Sequence, residues 1–338
     1  MNSAFKKCSS KISIITAVFN TRRFLRQTVE SISNQTFPIH EHILINDAST
    51  DGSGDLANQL AQEFPSVKVI HNPSNRGFPT SLNIGIQSSS SPYVGILDSD
   101  DIALPTWIQT VLPVIESDPS IASVGGGCIF MSESGSITNR RGYCSPAGDV
   151  TGAARMGTYP FLHPGTVHRK EALLRIGLYN QKIKSAEDLD LFLSVSHGAR
   201  LVNVGEPLIY YRRRRGSESR KTAEYNKAIS NFLSGKRKLL AEGYSVEEAN
   251  GKLCLEIDGF QNIDRIRKVP SWEYDLEMSE HFEHGGRYVF SAWFRIRVLF
   301  SGQQKVLSMR AIMRCVFRTF IPNPIRSPLG NIIRTILK

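Results

Sequence analysis

The chain has no apolar run approaching the roughly 20 residues needed to cross a bilayer, so its sequence offers no membrane-spanning helix. Its five cysteines, Cys8, Cys128, Cys144, Cys254 and Cys315, are an odd number without paired spacing. That excludes a disulfide framework and a zinc motif, and makes a reducing cytoplasm the default expectation. There is no internal repeat, no low-complexity tract and no signal peptide ahead of Lys6-Lys7 and the first strand. No G-x-G-x-x-G follows a strand, which argues against a dinucleotide site. Acidic residues are absent after Gly286.

What is present is an alternation. Lys11 to Asn20, His42 to Ile45, Val67 to Ile70 and Tyr93 to Leu97 read as buried strands. Between them, Thr21 to Ser33 has helical spacing, with Phe24, Leu25, Thr28, Val29 and Ile32 on one face. Asp55 to Phe64 and Gly77 to Gln87 supply two further helical segments. Strand alternating with helix predicts a parallel α/β sheet with right-handed crossovers. Ligands bind outside the carboxyl ends of such strands, and polar groups stand there: Asn20, Asp47 and Asp98. The last opens Asp98-Ser99-Asp100-Asp101, three carboxylates that repel one another unless a divalent cation neutralises them. A solvated turn whose Asp caps the next helix is the other reading of that cluster.

Residues Ser13 to Asp101 resemble the nucleotide-sugar half of an inverting family 2 glycosyltransferase with the GT-A fold. The matching pieces are Ser13-Ile14-Ile15-Thr16 with Phe19-Asn20, Ser31 to Thr36, Asn46 to Asp51, Asn75-Arg76-Gly77 with Asn83-Ile84-Gly85, and Leu97 to Asp101. The acceptor half matches in order: His163 to Val167, Gly177-Leu178-Tyr179, Glu187 to Leu191, and Pro207 to Arg212. The resemblance covers about the first two thirds of the chain and implies a mainly parallel, Rossmann-like sheet flanked by helices. It also implies roles. Thr16, Phe19, Asn20, Asn46, Asp47, Asn75, Gly77, Asp98 and Asp100 would contact the donor, UDP-sugar first. Asp100 would hold Mn²⁺ or Mg²⁺, a Lewis acid for the departing diphosphate. Asp188 would be the base that takes a proton from the acceptor hydroxyl. Asp101, His163 and Glu187 would wall the acceptor site. A single displacement would invert the anomeric carbon, which develops oxocarbenium character.

The chain departs from the family pattern at several points. Asn46 replaces the first acid of the usual pair, Ala17 a Pro, Leu82 an Arg, Ser194 an Arg, and Arg214 a His. Arg212 and Arg214 could compensate at the diphosphate, since guanidinium forks match phosphate oxygens. Asp188 could also serve only as the cap of a helix Leu189 to Ser196. A nucleotidyltransferase is an alternative class, but Thr16 to Arg23 lacks its Gly-rich basic loop. A sugar-binding scaffold with an inactive site is another.

A chain of 338 residues fits a catalytic domain, 1–220 (donor half 10–103, acceptor half 104–220), plus a helical region, 221–338. Ser132 to Gly152 reads as loop. Of 41 basic residues, ten lie between Arg287 and Lys338; the rest match the 31 acidic ones, so the net charge of +10 belongs to that tail. On a helix, Arg310, Arg314 and Arg318 form a stripe beside Leu307, Ile312, Met313 and Phe317. Residues 286–338 are therefore expected to lie on an anionic membrane surface, with a helical subdomain docked on the catalytic core as the other reading. The expectation is a cytoplasmic protein peripheral to the inner face of the cell membrane, acting on a glycan or lipid-linked glycan. No motif points to nucleic acid.

Overall fold

The computed structural model describes residues 11–143, 146–183, 186–214 and 223–258. Its elements, in chain order, are β1 (Ile12–Val18), α1 (Arg22–Ser33), β2 (Glu41–Asn46), α2 (Ser53–Glu63), β3 (Val67–His71), α3 (Phe78–Ser88), β4 (Tyr93–Ile96) and β5 (Ile102–Ala103). Then come α4 (Trp107–Ser117), β6 (Ile121–Ser132), β7 (Ile137–Tyr143), β8 (Gly148–Asp149), α5 (Thr151–Arg155), β9 (Thr166–Arg169), α6 (Lys170–Arg175), α7 (Glu187–Ser196), β10 (Arg200–Arg213), α8 (Ala223–Ala241) and α9 (Val246–Asp258).

The sheet runs β3-β2-β1-β4-β9-β6-β10-β5, with β7 added on β6 and β8 on β10. Parallel pairing holds over β3-β2-β1-β4, where the donor half was expected. Beyond β4 the sheet is mixed: β9 pairs antiparallel with both β4 and β6, and β10 antiparallel with β5 and β8. Ser132 to Gly152 is not simply loop, because Ser132 turns the chain from β6 into β7 through bonds to Gly135 and Ser136.

β1 and β2 are buried along their whole length, as strands covered by helices on both faces must be. Their polar side chains are matched in pairs. Ser13 donates to Glu41 at 2.8 Å, and the Thr16 hydroxyl meets His42 Nε2 at 3.0 Å. Burial holds His42 neutral, its pKa lowered to about 3. Burial would raise Glu41, but hydrogen bonds from Lys68, Ser90 and Ser13 outweigh it and hold that carboxyl at about 2. Helix α1 buries the five residues that its spacing predicts. Gly85 of α3 has no side chain because a Cβ there would strike Ile15 and, at 2.6 Å, Ile45.

The described residues fall into two compact units. The larger contains 11–128, 142–143, 146–183, 186–211 and 223–258. Helices α8 and α9, assigned from sequence to a separate region, thus belong to the same unit as the donor half. Ile229, Phe232 and Leu233 of α8 pack with Leu189 and Leu193 of α7 in one buried cluster. The smaller unit contains, of the described residues, 129–141 and 212–214. The basic tail, 286–338, lies outside the described residues. Among the described residues, no helix is long and apolar enough to cross a membrane.

Candidate active site

Three strand ends form the donor-side rim, and short hydrogen bonds tie them together. After β1, Asn20 adopts a left-handed φ of 52°, which Asn tolerates better than most residues. Its side-chain oxygen accepts from Thr50 N at 2.8 Å, and its own N–H donates to Ser49 Oγ at 3.1 Å. Thr21 N donates to Ser53 Oγ, and the Thr21 hydroxyl to Ser99 Oγ, each at 3.0 Å. The segments following β1, β2 and β4 are therefore one framework. Phe19 stands out from it, 42% exposed.

Asp47 is buried, and its carboxylate holds the segment ahead of α3. It accepts from Asn72 Nδ2 at 2.7 Å, Arg76 N at 2.8 Å and Gly77 N at 2.9 Å. Gly77 has φ +86°, a conformation that glycine adopts at little cost. Asn75 is exposed on the same segment. Asn46, where an acid is usual, uses its amide fully: Oδ1 accepts from Ser49 N at 3.2 Å and Nδ2 meets His71 Nδ1 at 3.0 Å. Since His71 Nε2 faces Asn58 Oδ1 at 2.9 Å, the ring carries its proton there and accepts from Asn46.

At the end of β4 the acids separate. Asp98 and Asp100 are half-buried, whereas Asp101 is 1% exposed with its carbonyl accepting from Thr28 Oγ1 at 2.7 Å. Asp101, expected at the acceptor, is thus packed beneath the rim, against α1. Thr16, expected at the donor, is fully buried with its hydroxyl against His42.

The acceptor side is built on α7. Ala186, ahead of the helix, has φ 58°, a left-handed conformation that costs a residue with a Cβ about 1–3 kcal/mol. Ala48, beside Asp47, shares this feature with φ 55°, so both strained alanines neighbour predicted site carboxylates. Glu187 and Asp188 begin α7 half-buried, and Asp188 is not the cap of the helix, which starts from Ala186. Asp188 Oδ1 accepts from Leu189 N at 2.8 Å and from the Tyr159 hydroxyl at 3.2 Å. Burial first, and then the Asp188 charge, push the Tyr159 hydroxyl far up, so it stays a donor.

His163, expected on the acceptor wall, lies lower. It is buried among Phe78, Tyr179 and Phe192, with Nε2 2.7 Å from the Tyr179 hydroxyl. Burial lowers its pKa, against the pull of Asp188. Tyr179 marks the convergence of the two halves. Its hydroxyl is pushed well up, first by burial and then by the charges of Asp188, Glu187 and Asp98. Asp98, expected at the donor, and Glu187 and Asp188, expected at the acceptor, thus all bear on one buried phenol. In the smaller unit Arg212 is buried, its guanidinium donating to Glu133 O at 3.1 Å, and Arg214 is half-buried.

Tyr159 and Lys236 carry no sequence signal of their own, and Tyr179 is marked only as the end of the Gly177-Leu178-Tyr179 motif. Lys236 is wholly buried and donates to Asp190 at 2.6 Å, joining α8 to the helix that carries Asp188.

Residues 13–173 match the family described as Glycosyl transferase family 2. EpsE of Bacillus subtilis, a protein assigned as a glycosyltransferase, is 30% identical over 227 residues, covering 66% of this chain and 80% of EpsE. The chain belongs to the family 2 glycosyltransferases. An uncharacterized glycosyltransferase of Haemophilus influenzae is 28% identical over 60% of this chain; the chain spans 65% of its length, just under two thirds.

The glycosyltransferase also shares its fold with solved structures. S. aureus TarS 1-349 in complex with UDP-GlcNAc superposes with a TM-score of 0.57 at 17% identity, over 90% of this chain and 88% of that one. The mannosyltransferase PcManGT of Pyrobaculum calidifontis, in complex with GDP-Man and Mn²⁺, gives 0.52 at 14% identity, over 98% and 86%. The fold is the GT-A fold, with the expected central sheet flanked by helices.

Proposed function

We propose that this glycosyltransferase moves a sugar from a nucleotide-sugar donor, a UDP-sugar first, to a glycan or lipid-linked glycan, inverting the anomeric carbon. The observation that carries the reading is that Tyr179 joins the two halves: Asn83 of α3 bonds its backbone at both C=O and N–H, at 2.9 Å each, and its buried hydroxyl feels the charges of Asp188, Glu187 and Asp98. Carboxylates on both sides of that junction suit a single displacement between two substrates.

Asp188 takes the proton of the attacking hydroxyl. The Tyr159 hydroxyl holds its Oδ1 in place. Asp47 acts through the segment it braces, setting Asn75 and Gly77 around the nucleotide. Phe19, Asn20 and Asp98 complete that side.

The donor set at the end of β4 suits a divalent cation. Asp100 offers hard oxygens at a half-buried edge, and Mg²⁺ or Mn²⁺ is commonly held by one or two carboxylates plus substrate phosphates. Among the described residues, no group of three or more candidate ligands stands ready, so the donor's own diphosphate would complete the shell. Such a cation would supply charge stabilisation for the leaving diphosphate.

The tail, 286–338, is proposed to hold the enzyme on the cytoplasmic face of the cell membrane through its ten unopposed basic residues. Truncation after Gly286 should release the protein from membranes and leave nucleotide binding intact. Calorimetric titration with UDP, GDP and dTDP, with and without Mn²⁺, tests the donor site. Metal-dependent binding of one nucleotide, lost in Asp100→Asn, supports it; no binding to folded protein would refute it.

A further inference from the structure

Beside Asp188 the larger unit contains a groove that none of the assigned roles uses. Its first chamber, about 440 Å³, is lined by Met156, Tyr159, Ala186, Leu189, Leu233 and Arg237, among others. Tyr159 is the residue that donates to Asp188, and Ala186 and Leu189 flank the carboxylate in sequence, so this chamber lies next to the proposed base. A second chamber, about 750 Å³, shares Met156, Ser234 and Arg237 with the first as a common wall.

The two chambers differ in chemistry. The first presents mainly apolar side chains with a phenol, two serines and, at the common wall, Arg237. The second is lined by Arg155, His197, Arg237 and Lys238, and by no acid. Lys238 has an acidic neighbour, Glu242, at 3.9 Å along α8. The two arginines instead donate to main-chain carbonyls: Arg155 Nε to Ser196 O at 2.8 Å, and Arg237 to Met156 O at 3.1 Å. Among the described residues, neither is in an ion pair. These bonds fix both guanidinium groups in the wall with their charge uncompensated. An uncompensated pair of planar, multi-donor cations is what recognises a phosphate.

We infer that this groove seats the acceptor, and that the acceptor carries a phosphate ester beyond its reacting hydroxyl. The inference rests on the reading of Asp188 as the base and names the substrate class of that same site. The hydroxyl lies at the Asp188 end, the body of the acceptor passes Met156 and Leu233, and the phosphate reaches Arg155 and Arg237. The phosphate could belong to a lipid carrier or to a soluble phosphorylated glycan, since both present the same dianion or diester.

The test uses the full chain with its donor site filled by saturating nucleotide and Mn²⁺. Octyl phosphate, glycerol 1-phosphate and uncharged octyl glucoside are titrated calorimetrically into wild type and the double variant Arg155→Gln/Arg237→Gln. Both phosphates should bind wild type at least tenfold tighter than octyl glucoside, and the variant should lose at least that factor while its nucleotide affinity stays unchanged. Tighter binding of octyl phosphate than glycerol 1-phosphate supports the phosphate site and assigns it to a lipid carrier; equal affinities support it and assign a soluble ester. Phosphates that bind no better than octyl glucoside, or equally in the variant, would overturn the inference if nucleotide still binds. Loss of nucleotide binding by folded wild type would instead overturn the glycosyltransferase site on which it depends.

Discussion

Replacing Lys236 by Met should destabilise this enzyme far more than a typical surface change, although the helix that carries it looks ordinary. Lys236 Nζ lies 2.6 Å from Asp190 Oδ1, with side-chain exposures of 0% and 4%. At that separation and an effective dielectric near 20, the attraction is about 6 kcal/mol. Burial removes several kcal/mol of hydration from each ion, so the pair as a whole contributes little. Burial pushes the Asp190 carboxyl above its ordinary value despite the pull of Lys236. Breaking the pair is different. Lys236→Met strands a carboxylate in apolar packing, and such a change costs about 3–5 kcal/mol. Asp190→Ala/Lys236→Met removes both charges and should recover most of that loss.

The sign of the pH dependence follows from the raised Asp190 pKa. A carboxyl raised in the folded state favours folding when protonated, and that contribution is lost as pH rises through its folded value. Without Lys236 the value rises further, so the deficit of Lys236→Met should be smaller at pH 5 than at pH 8. Urea unfolding of wild type, both singles and the double, at both pH values, measures each quantity. A Lys236→Met cost below about 1 kcal/mol, or a double as unstable as the single, would refute the reasoning. The pair also sets α7 against α8, two residues from Asp188, so the single should lose transfer activity with it.

Other perturbations follow from the packing. In Gly126→Ala the new Cβ would sit 2.6 Å from the main-chain oxygen of Glu206, and overpacking against backbone should cost about 1–3 kcal/mol in a thermal melt. Glu41, held at about 2 by Lys68, Ser90 and Ser13 against its burial, contributes stability above its ordinary value of 4.5 that is lost as pH falls toward 2. Glu41→Gln should therefore flatten the acid limb of a stability profile between those values. Asp47→Asn should loosen the 72–77 segment, because an amide presents N–H to Arg76 N or Gly77 N, and nucleotide affinity should fall about tenfold, a loss near 1.4 kcal/mol.

Much of the donor half is legible from local pattern. The buried face of α1 follows from spacing alone, and the polar strand ends Asn20, Asp47 and Asp98 mark the rim because parallel strands deliver their ends to one edge. What pattern does not reveal is which polar group is turned inward. Thr16 is hidden because its hydroxyl meets His42 of the neighbouring strand, a consequence of register. Asp101 looks equivalent to Asp98 and Asp100 until the turn after β4 directs it under α1. The antiparallel insertion of β9 between β4 and β6 is a long-range pairing with no local signal. His163 reads as a site residue because of its motif, yet its ring serves the aromatic packing around Tyr179. Lys236 has no local signal either, since its partner lies 46 residues away. Tyr159 and Tyr179 gain meaning only from the carboxylates that surround them.

Donor turnover tests the central claim most directly. Wild type, Asp100→Asn and Asp188→Asn would be incubated with UDP-, GDP- and dTDP-sugars and Mn²⁺, and release of nucleoside diphosphate followed with and without membrane extract as acceptor source. The account predicts acceptor-stimulated release from one donor class, abolished in Asp100→Asn and reduced about 10²–10⁴-fold in Asp188→Asn, the usual worth of a general base, with nucleotide binding kept in the latter. Acceptor-stimulated release that survives Asp188→Asn undiminished would contradict it.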